Sequence, residues 1–144
     1  TDQATLTMGR SAQGCQSYSQ GLCSELINNE TLSITATGGA GYISAGASVD
    51  IAQTMIASNL SINTAGFELS NTASLRLEGN LLTNNDGLGA QSAAPSLFYL
   101  NGDNNQASEL DFGFNTVVNN NVDNFFTTNN TNSANSTSRG RLAC

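Results

Sequence analysis

A repeat constrains this chain more than any other feature. Tyr42-Ile-Ser-Ala-Gly-Ala-Ser-Val49-Asp-Ile51-Ala-Gln-Thr54-Met-Ile56-Ala-Ser-Asn59 aligns without a gap on Glu68-Leu-Ser-Asn-Thr-Ala-Ser-Leu75-Arg-Leu77-Glu-Gly-Asn80-Leu-Leu82-Thr-Asn-Asn85, at an offset of 26. A third copy, Leu110-Asp-Phe112-Gly-Phe-Asn115-Thr-Val117-Val-Asn-Asn120, is offset by 35 from the second, so nine extra residues fall between Asn85 and Leu110. A fainter copy starts at Leu6-Thr-Met8 and resumes at Leu26-Ile27-Asn28-Asn29, which requires an insertion of 13 residues. A shorter motif repeats as well: Leu32-Ser-Ile34-Thr-Ala-Thr-Gly38 matches Leu60-Ser-Ile62-Asn-Thr-Ala-Gly66. Self-similarity at such a period is the signature of a solenoid.

Within each copy the pattern is apolar-x-apolar, then a turn, then another short apolar pair. That is period-two strand punctuated by Gly, Asn and Ser, and strong helix formers are nowhere concentrated. The repeat therefore predicts an all-β chain of about four stacked coils, with equivalent residues about 4.8 Å apart along parallel sheets. Val49, Leu75 and Leu110 form one inward row, and Ile51, Leu77 and Phe112 another. Each large side chain buried this way stabilises by roughly 1.5–3 kcal/mol. Asparagine at the corners is the second device. Thr54, Asn80 and Asn115 share one position; Asn59, Asn85 and Asn120 share another. An Asn tolerates unusual turn dihedrals, and its amide can bond the coils above and below.

Gly38 through Asn59 resembles one coil of the right-handed parallel β-helix repeats of secreted bacterial surface proteins. Those coils run glycine-glycine-alanine-apolar, a short strand, then a Thr-Ile-x-x-Asn corner; Leu81–Asn85 and Thr116–Asn120 are similar corners. The resemblance covers roughly residues 26–126. It implies a right-handed parallel β-helix (β-solenoid) at the cell surface, and says less about function, because adhesins, polysaccharide lyases and phage tailspikes are similar at this level. The chain departs from such proteins in its shortness and in its Cys-bearing insertion. On this reading 1–126 are coils with an insertion at 9–25, and 127–144 are a polar, low-complexity segment. A leucine-rich repeat is the nearest rival, but the leading Leu is missing (Gly46, Thr72 and Ala107 stand there) and the convex half has no helix signal. A calcium-binding nonapeptide helix fails because Gly38-Gly-Ala-Gly-Tyr-Ile occurs once, with Ile43 where an Asp is needed. A two-sheet sandwich does not explain the offset.

Composition narrows the chemistry. Lys plus Arg is 4, Asp plus Glu is 11 and His is 0, a net charge of −7. There is no basic surface to grip phosphates, so nucleic acid is not an expected partner. Without His there is no Ser–His–Asp or Cys–His pair and no imidazole metal ligand. No apolar run approaches the roughly 20 residues of a membrane span, no targeting segment is visible, and the missing initiator Met suggests a processed chain or a fragment. Cys15 and Cys23 sit eight apart in a Gly/Gln/Ser-rich stretch, which suits a disulfide closing a short loop in an oxidising compartment. A metal site would want four soft ligands, and the chain has three cysteines. Cys144 is left over.

Candidate chemistry sits on the outward residues between the paired apolar ones: Asp50, Arg76 and Asp111. A polysaccharide hydrolase or lyase could use them, with two carboxylates about two strand spacings apart and Arg holding a uronate. The reading taken is an exposed ion ladder that offsets like-charge repulsion. Asn101-Gly-Asp103-Asn-Asn-Gln-Ala-Ser-Glu109-Leu-Asp111 gathers oxygen ligands that could hold Ca²⁺; it is read as a polar loop. Leu97-Phe98-Tyr99-Leu100 and Phe125-Phe126 are read as plugging the interior or shielding an end, although aromatic platforms can stack sugars. Arg139-Gly-Arg141 could be a contact or cleavage segment. Asn-x-Ser/Thr occurs at Asn29, Asn59, Asn129 and Asn135, little more than an Asn/Ser/Thr-rich chain produces by chance.

The chain therefore reads as a non-enzymatic, secreted structural or adhesive β-solenoid without a cofactor. The alternatives are a carbohydrate-active β-helix enzyme and a tailspike-like glycan binder. Unpaired strand edges at the ends of a short solenoid are templates for further chain, so end-to-end self-association, or docking onto further coils of a larger parent, is expected. Cys144 would then be available for an intermolecular bond.

Overall fold

A computed structural model describes residues 4–9, 22–32, 38–89, 94–102, 107–130 and 139–143. The described residues contain sixteen strands and no helix, so none that could cross a membrane. A first pass comprises β1 (Thr5–Met8), β2 (Ser24–Ile27), β3 (Glu30–Thr31) and β4 (Gly41–Ile43). The second comprises β5 (Ser48–Ala52), β6 (Thr54–Ala57), β7 (Leu60–Ser61) and β8 (Thr64–Ser70). In the third, β9 (Ser74–Glu78), β10 (Leu81–Thr83), β11 (Asp86–Gly87) and β12 (Ser96–Gly102) follow in the same order. The fourth has β13 (Glu109–Gly113), β14 (Thr116–Val118) and β15 (Asn124–Asn130), and β16 (Arg139–Ala143) returns to the start.

Corresponding strands of successive passes pair side by side, always in parallel. The first sheet runs β1-β5-β9-β13-β16, the second β14-β10-β6-β2, the third β11-β7-β3 and the fourth β15-β12-β8-β4. The chain is a parallel β-solenoid, and the repeat sets its register. Val49 pairs with Leu75, Leu75 with Leu110, Ile51 with Leu77 and Leu77 with Phe112. All six side chains are buried in one continuous core. The faint first copy is real: Leu6 lies beside Val49, Met8 beside Ile51 and Leu26 beside Ile56. Leu6 is on the outermost strand of its sheet and is 52% exposed despite its inward register. Phe98, fully buried, makes edge contacts with Phe112 of the first sheet and Phe125 of its own sheet, each at 5.5 Å between ring centroids.

The corners explain the asparagines. Gln53, Gly79 and Phe114, the residues before Thr54, Asn80 and Asn115, all have φ between 49° and 65°. Asn28, Ser58, Asn84 and Asn119, before Asn29, Asn59, Asn85 and Asn120, lie between 54° and 58°. One left-handed residue bends the chain, and the next aims its amide along the solenoid axis. Asn59 donates from its backbone N–H (3.2 Å) and from Nδ2 (2.8 Å) to Oδ1 of Asn85. Asn85 repeats this toward Asn120 at 3.0 and 2.7 Å. The other corner does the same: Thr54 N–H donates to Asn80 Oδ1 (2.9 Å), and Asn80 donates twice to Asn115 Oδ1 (2.8 and 2.9 Å).

Four expectations are corrected or bounded. The short motif does not pair as its sequence match suggests: Glu30, not Leu32, lies beside Leu60, and Phe67 faces Gly41. The step from Glu30 to Gly41 is four residues longer than that from Leu60 to Phe67, so the match falls between two true registers. The insertion ends sooner than residue 25, because Ser24 and Glu25 already pair with Thr54 and Met55. Strand continues beyond residue 126: β15 pairs with β12 as far as Asn130, and Arg139–Ala143 joins the first sheet against β13. Cys15, Asp103, Asn135 and Cys144 lie outside the described residues.

Candidate functional site

The outward row of the first sheet places Asp50, Arg76 and Asp111 side by side, as the repeat requires. The Arg76 guanidinium sits between the two carboxylates, with Nη1 3.9 Å from Asp50 Oδ2 and Nε 3.8 Å from Asp111 Oδ2. Its closest partner is Glu78, at 2.6 Å from Nη2. All of these groups are substantially exposed, so each contact is worth at most about 1 kcal/mol. Arg141 takes the register position beside Asp111, and Arg139 the one beside Glu109. The Arg139–Arg141 segment thereby has a place in the strand next to β13. An inverting hydrolase needs an open gap between its carboxylates for the attacking water; here the guanidinium occupies that gap.

The six corner residues singled out by the repeat are brought together as two ladders. Asn59, Asn80 and Asn85 are buried with their amides satisfied. Asn59 Nδ2 also donates to Leu26 O (3.0 Å), Asn80 Nδ2 to Ile51 O (2.9 Å) and Asn85 Nδ2 to Ile56 O (3.0 Å). Asn29 extends the second ladder by donating to Asn59 Oδ1 at 3.1 and 2.8 Å. Asn59 is fully buried and is therefore no glycan acceptor in the folded chain. Cys23 Sγ lies 3.1 Å from Gln53 Oε1, while its expected partner Cys15 is outside the described residues. Of the oxygen ligands suggested for Ca²⁺, Asn101 belongs to the fourth sheet and Glu109 and Asp111 to the first, while residues 103–106 lie outside the described residues.

The arrangement that sequence reasoning missed lies on the outer face of the fourth sheet. Tyr42, Glu68, Tyr99 and Thr127 occupy one outward row on four adjacent strands. Tyr42 is exposed, and its hydroxyl lies 2.8 Å from Ser70 Oγ. Glu68 is only 6% exposed. It lines a cavity of about 360 Å³ together with Asn63, Ser96, Tyr99, Asn101 and Thr127. The strand pairing is irregular at this spot: Ala65 and Gly66 stand opposite the single residue Leu97, between the pairs Thr64–Ser96 and Phe67–Phe98. A Cβ on Gly66 would collide with the Leu97 carbonyl oxygen, so glycine is required where the two backbones approach. Alternation about Phe67 and Leu69 was a legible sign that Glu68 points outward. Nothing local signalled that it would be covered.

Comparison with protein-family models, with curated protein sequences and with solved structures finds no match.

Proposed function

We propose that the chain is a non-enzymatic structural or adhesive β-solenoid of an extracellular surface. The observation that carries this reading is the first-sheet row in which Arg76 fills the space between Asp50 and Asp111. The carboxylates best placed by the repeat for glycoside chemistry neutralise a guanidinium instead of flanking a water. The fully satisfied amide ladders make a stiff rod, which suits a part that holds or presents a surface rather than one that closes around a substrate. The Cys15–Cys23 bond expected from the sequence would belong to an oxidising setting. The half-exposed inward residue Leu6 on the outermost strand β1 fits association between copies through that edge.

The test is reducing-sugar release from a panel of neutral and acidic polysaccharides, with sedimentation analysis at micromolar concentration alongside. The reading expects no turnover and a mass that rises with concentration. Sugar release abolished by Asp50→Asn would establish the carbohydrate-active alternative in its place. A monomer of 14.9 kDa at every concentration would remove the association.

A further inference from the structure

We propose that the outer face of the fourth sheet, centred on Glu68 and Tyr99, binds a neutral, hydroxyl-rich ligand, namely a sugar unit of a glycan chain. The proposal rests on the adhesive reading and gives it a contact site. The cavity of about 360 Å³ is within the range of small-ligand sites, about 300–1,000 Å³. Its chemistry is that of hydroxyl recognition. Glu68 offers a carboxylate acceptor in a largely dry position, where a hydrogen bond from a ligand hydroxyl is strengthened. Asn63 and Asn101 carry amides that both donate and accept, Ser96 and Thr127 add hydroxyls, and Tyr99 adds a ring with an apolar face.

The same inventory excludes an anionic sugar. No Lys or Arg is among the described residues lining the cavity. Arg76, Arg139 and Arg141 all belong to the first sheet, and a buried carboxylate repels a uronate or sulfate.

The lengths of the coils point to the same face. From the second sheet to the third, every coil takes the same step: Leu26 to Glu30, Ile56 to Leu60, Leu82 to Asp86 and Val117 to Asn121. From the third sheet to the fourth the steps differ in every coil: Glu30 to Gly41, Leu60 to Phe67, Asp86 to Phe98 and Asn121 to Phe126. From the fourth back to the first, Ile43 to Val49 and Leu69 to Leu75 are equal, whereas Leu100 to Leu110 is longer. Apart from the single long insertion between the first and second sheets of the first coil (Met8 to Leu26, against Ile51 to Ile56), length variation thus falls on the two sides of the fourth sheet, and in repeat folds insertions collect around the binding face. The β-bulge between Thr64 and Phe67 adjoins the cavity, a position where bulges re-aim side chains at sites.

The test uses the full chain on a printed array of neutral cello-, manno- and galacto-oligosaccharides, cationic chitosan oligomers and anionic oligogalacturonates. We expect binding to neutral members. Glu68→Gln, which keeps the shape and removes the charge, and Tyr99→Ala should each weaken it at least tenfold, while Arg76→Ala on the first sheet leaves it unchanged. Amide chemical-shift changes on titrating the bound oligosaccharide into the unsubstituted chain should centre on residues 63–68 and 96–101, a readout independent of how the variants fold. Preference for chitosan or oligogalacturonate, no neutral ligand at all, or shifts confined to another sheet overturns the proposal. An array without neutral binders leaves the non-enzymatic reading standing. Sugar release by the unsubstituted chain overturns that reading and not this site.

Discussion

Replacing Asn85 by alanine removes one rung from the middle of a ladder, and the structure sets the size of the effect. The side chain takes part in four hydrogen bonds: Oδ1 accepts from the backbone N–H and Nδ2 of Asn59, and Nδ2 donates to Asn120 Oδ1 and to Ile56 O. Asn85 is fully buried, so water cannot replace these partners. At a net 0.5–1.5 kcal/mol per bond, and more for a stranded buried group, the substitution should cost about 4 kcal/mol. Asn120→Ala is the internal control. Its amide is only half-buried, water can take its place, and about 1–2 kcal/mol is expected. Urea unfolding followed by far-ultraviolet circular dichroism reads both. With an m-value of about 2 kcal/mol/M, Asn85→Ala should lower the midpoint by about 2 M and Asn120→Ala by less than half of that. Asn85→Asp adds a sign test. The new carboxyl still accepts from Asn59 but faces two acceptors, so burial and repulsion raise its folded-state pKa above the unfolded value of about 3.9. The folded state then holds more protons, so stability falls as pH rises through that window and is recovered as pH drops toward the unfolded pKa. A loss below about 1 kcal/mol for Asn85→Ala, or one no larger than that of Asn120→Ala, would show that the ladder decorates the corner without holding it.

Leu77→Asp puts a charge into the core position between Ile51 and Phe112, and should abolish the cooperative unfolding transition at neutral pH; a melt like that of the unsubstituted chain would contradict the inward assignment. Arg76→Ala removes the exposed bridge between Asp50 and Asp111 and should cost under about 1 kcal/mol, with the loss shrinking in 1 M salt; a salt-independent loss would mean its contribution is not electrostatic. Phe114 has a φ of 55° and is 71% exposed, so Phe114→Gly should relieve left-handed strain and raise stability by about 1 kcal/mol; a lower urea midpoint would mean that the ring has a packing role outweighing the strain.

The offset of 26, the offset of 35 and the faint copy at Leu6–Met8 together placed four of the five strands of the first sheet and both asparagine corners, because each depends on a residue meeting its own repeat equivalent. Val49, Leu75 and Leu110 could be placed by counting alone. The final strand was illegible for the opposite reason: Arg139–Ala143 has no likeness to Glu109–Gly113, and what matches is complementary, Arg139 beside Glu109 and Arg141 beside Asp111. Leu32–Gly38 misled because its likeness to Leu60–Gly66 is real, yet pairing follows the neighbouring ladder and core rows rather than the local match. Glu68 exposes a different limit. In the sequence it stands only as the first residue of a repeat copy, and its outward row is completed by residues on three other strands, none of which is close to it in sequence.

That the coils vary in length at some corners and not at others has a physical basis that a paired insertion experiment isolates. Where a ladder turns the corner, the backbone must deliver both an amide and the next strand's side chains in register. One extra residue between Gly79 and Asn80 displaces Asn80 from Thr54, Ile51 and Asn115. It also reverses which face β10 presents, turning the fully buried Leu82 outward. Losing the rung at about 1 kcal/mol per bond and the burial of Leu82 at roughly 1.5–3 kcal/mol puts the cost above about 5 kcal/mol. A residue added after Gly89 meets neither requirement. Gly89 is exposed and lies between the third and fourth sheets, where the register step from Asp86 to Phe98 is the longest among the described coils. Lengthening it adds only a loop-closure term that grows with the logarithm of length, under about 0.5 kcal/mol. Urea midpoints for the two one-residue insertions should therefore differ by about 2 M or more at an m-value of about 2 kcal/mol/M. Equal losses at the two places would mean that corner length is fixed by something other than the ladders, and the variable corners would then no longer mark the face on which this solenoid carries its contacts.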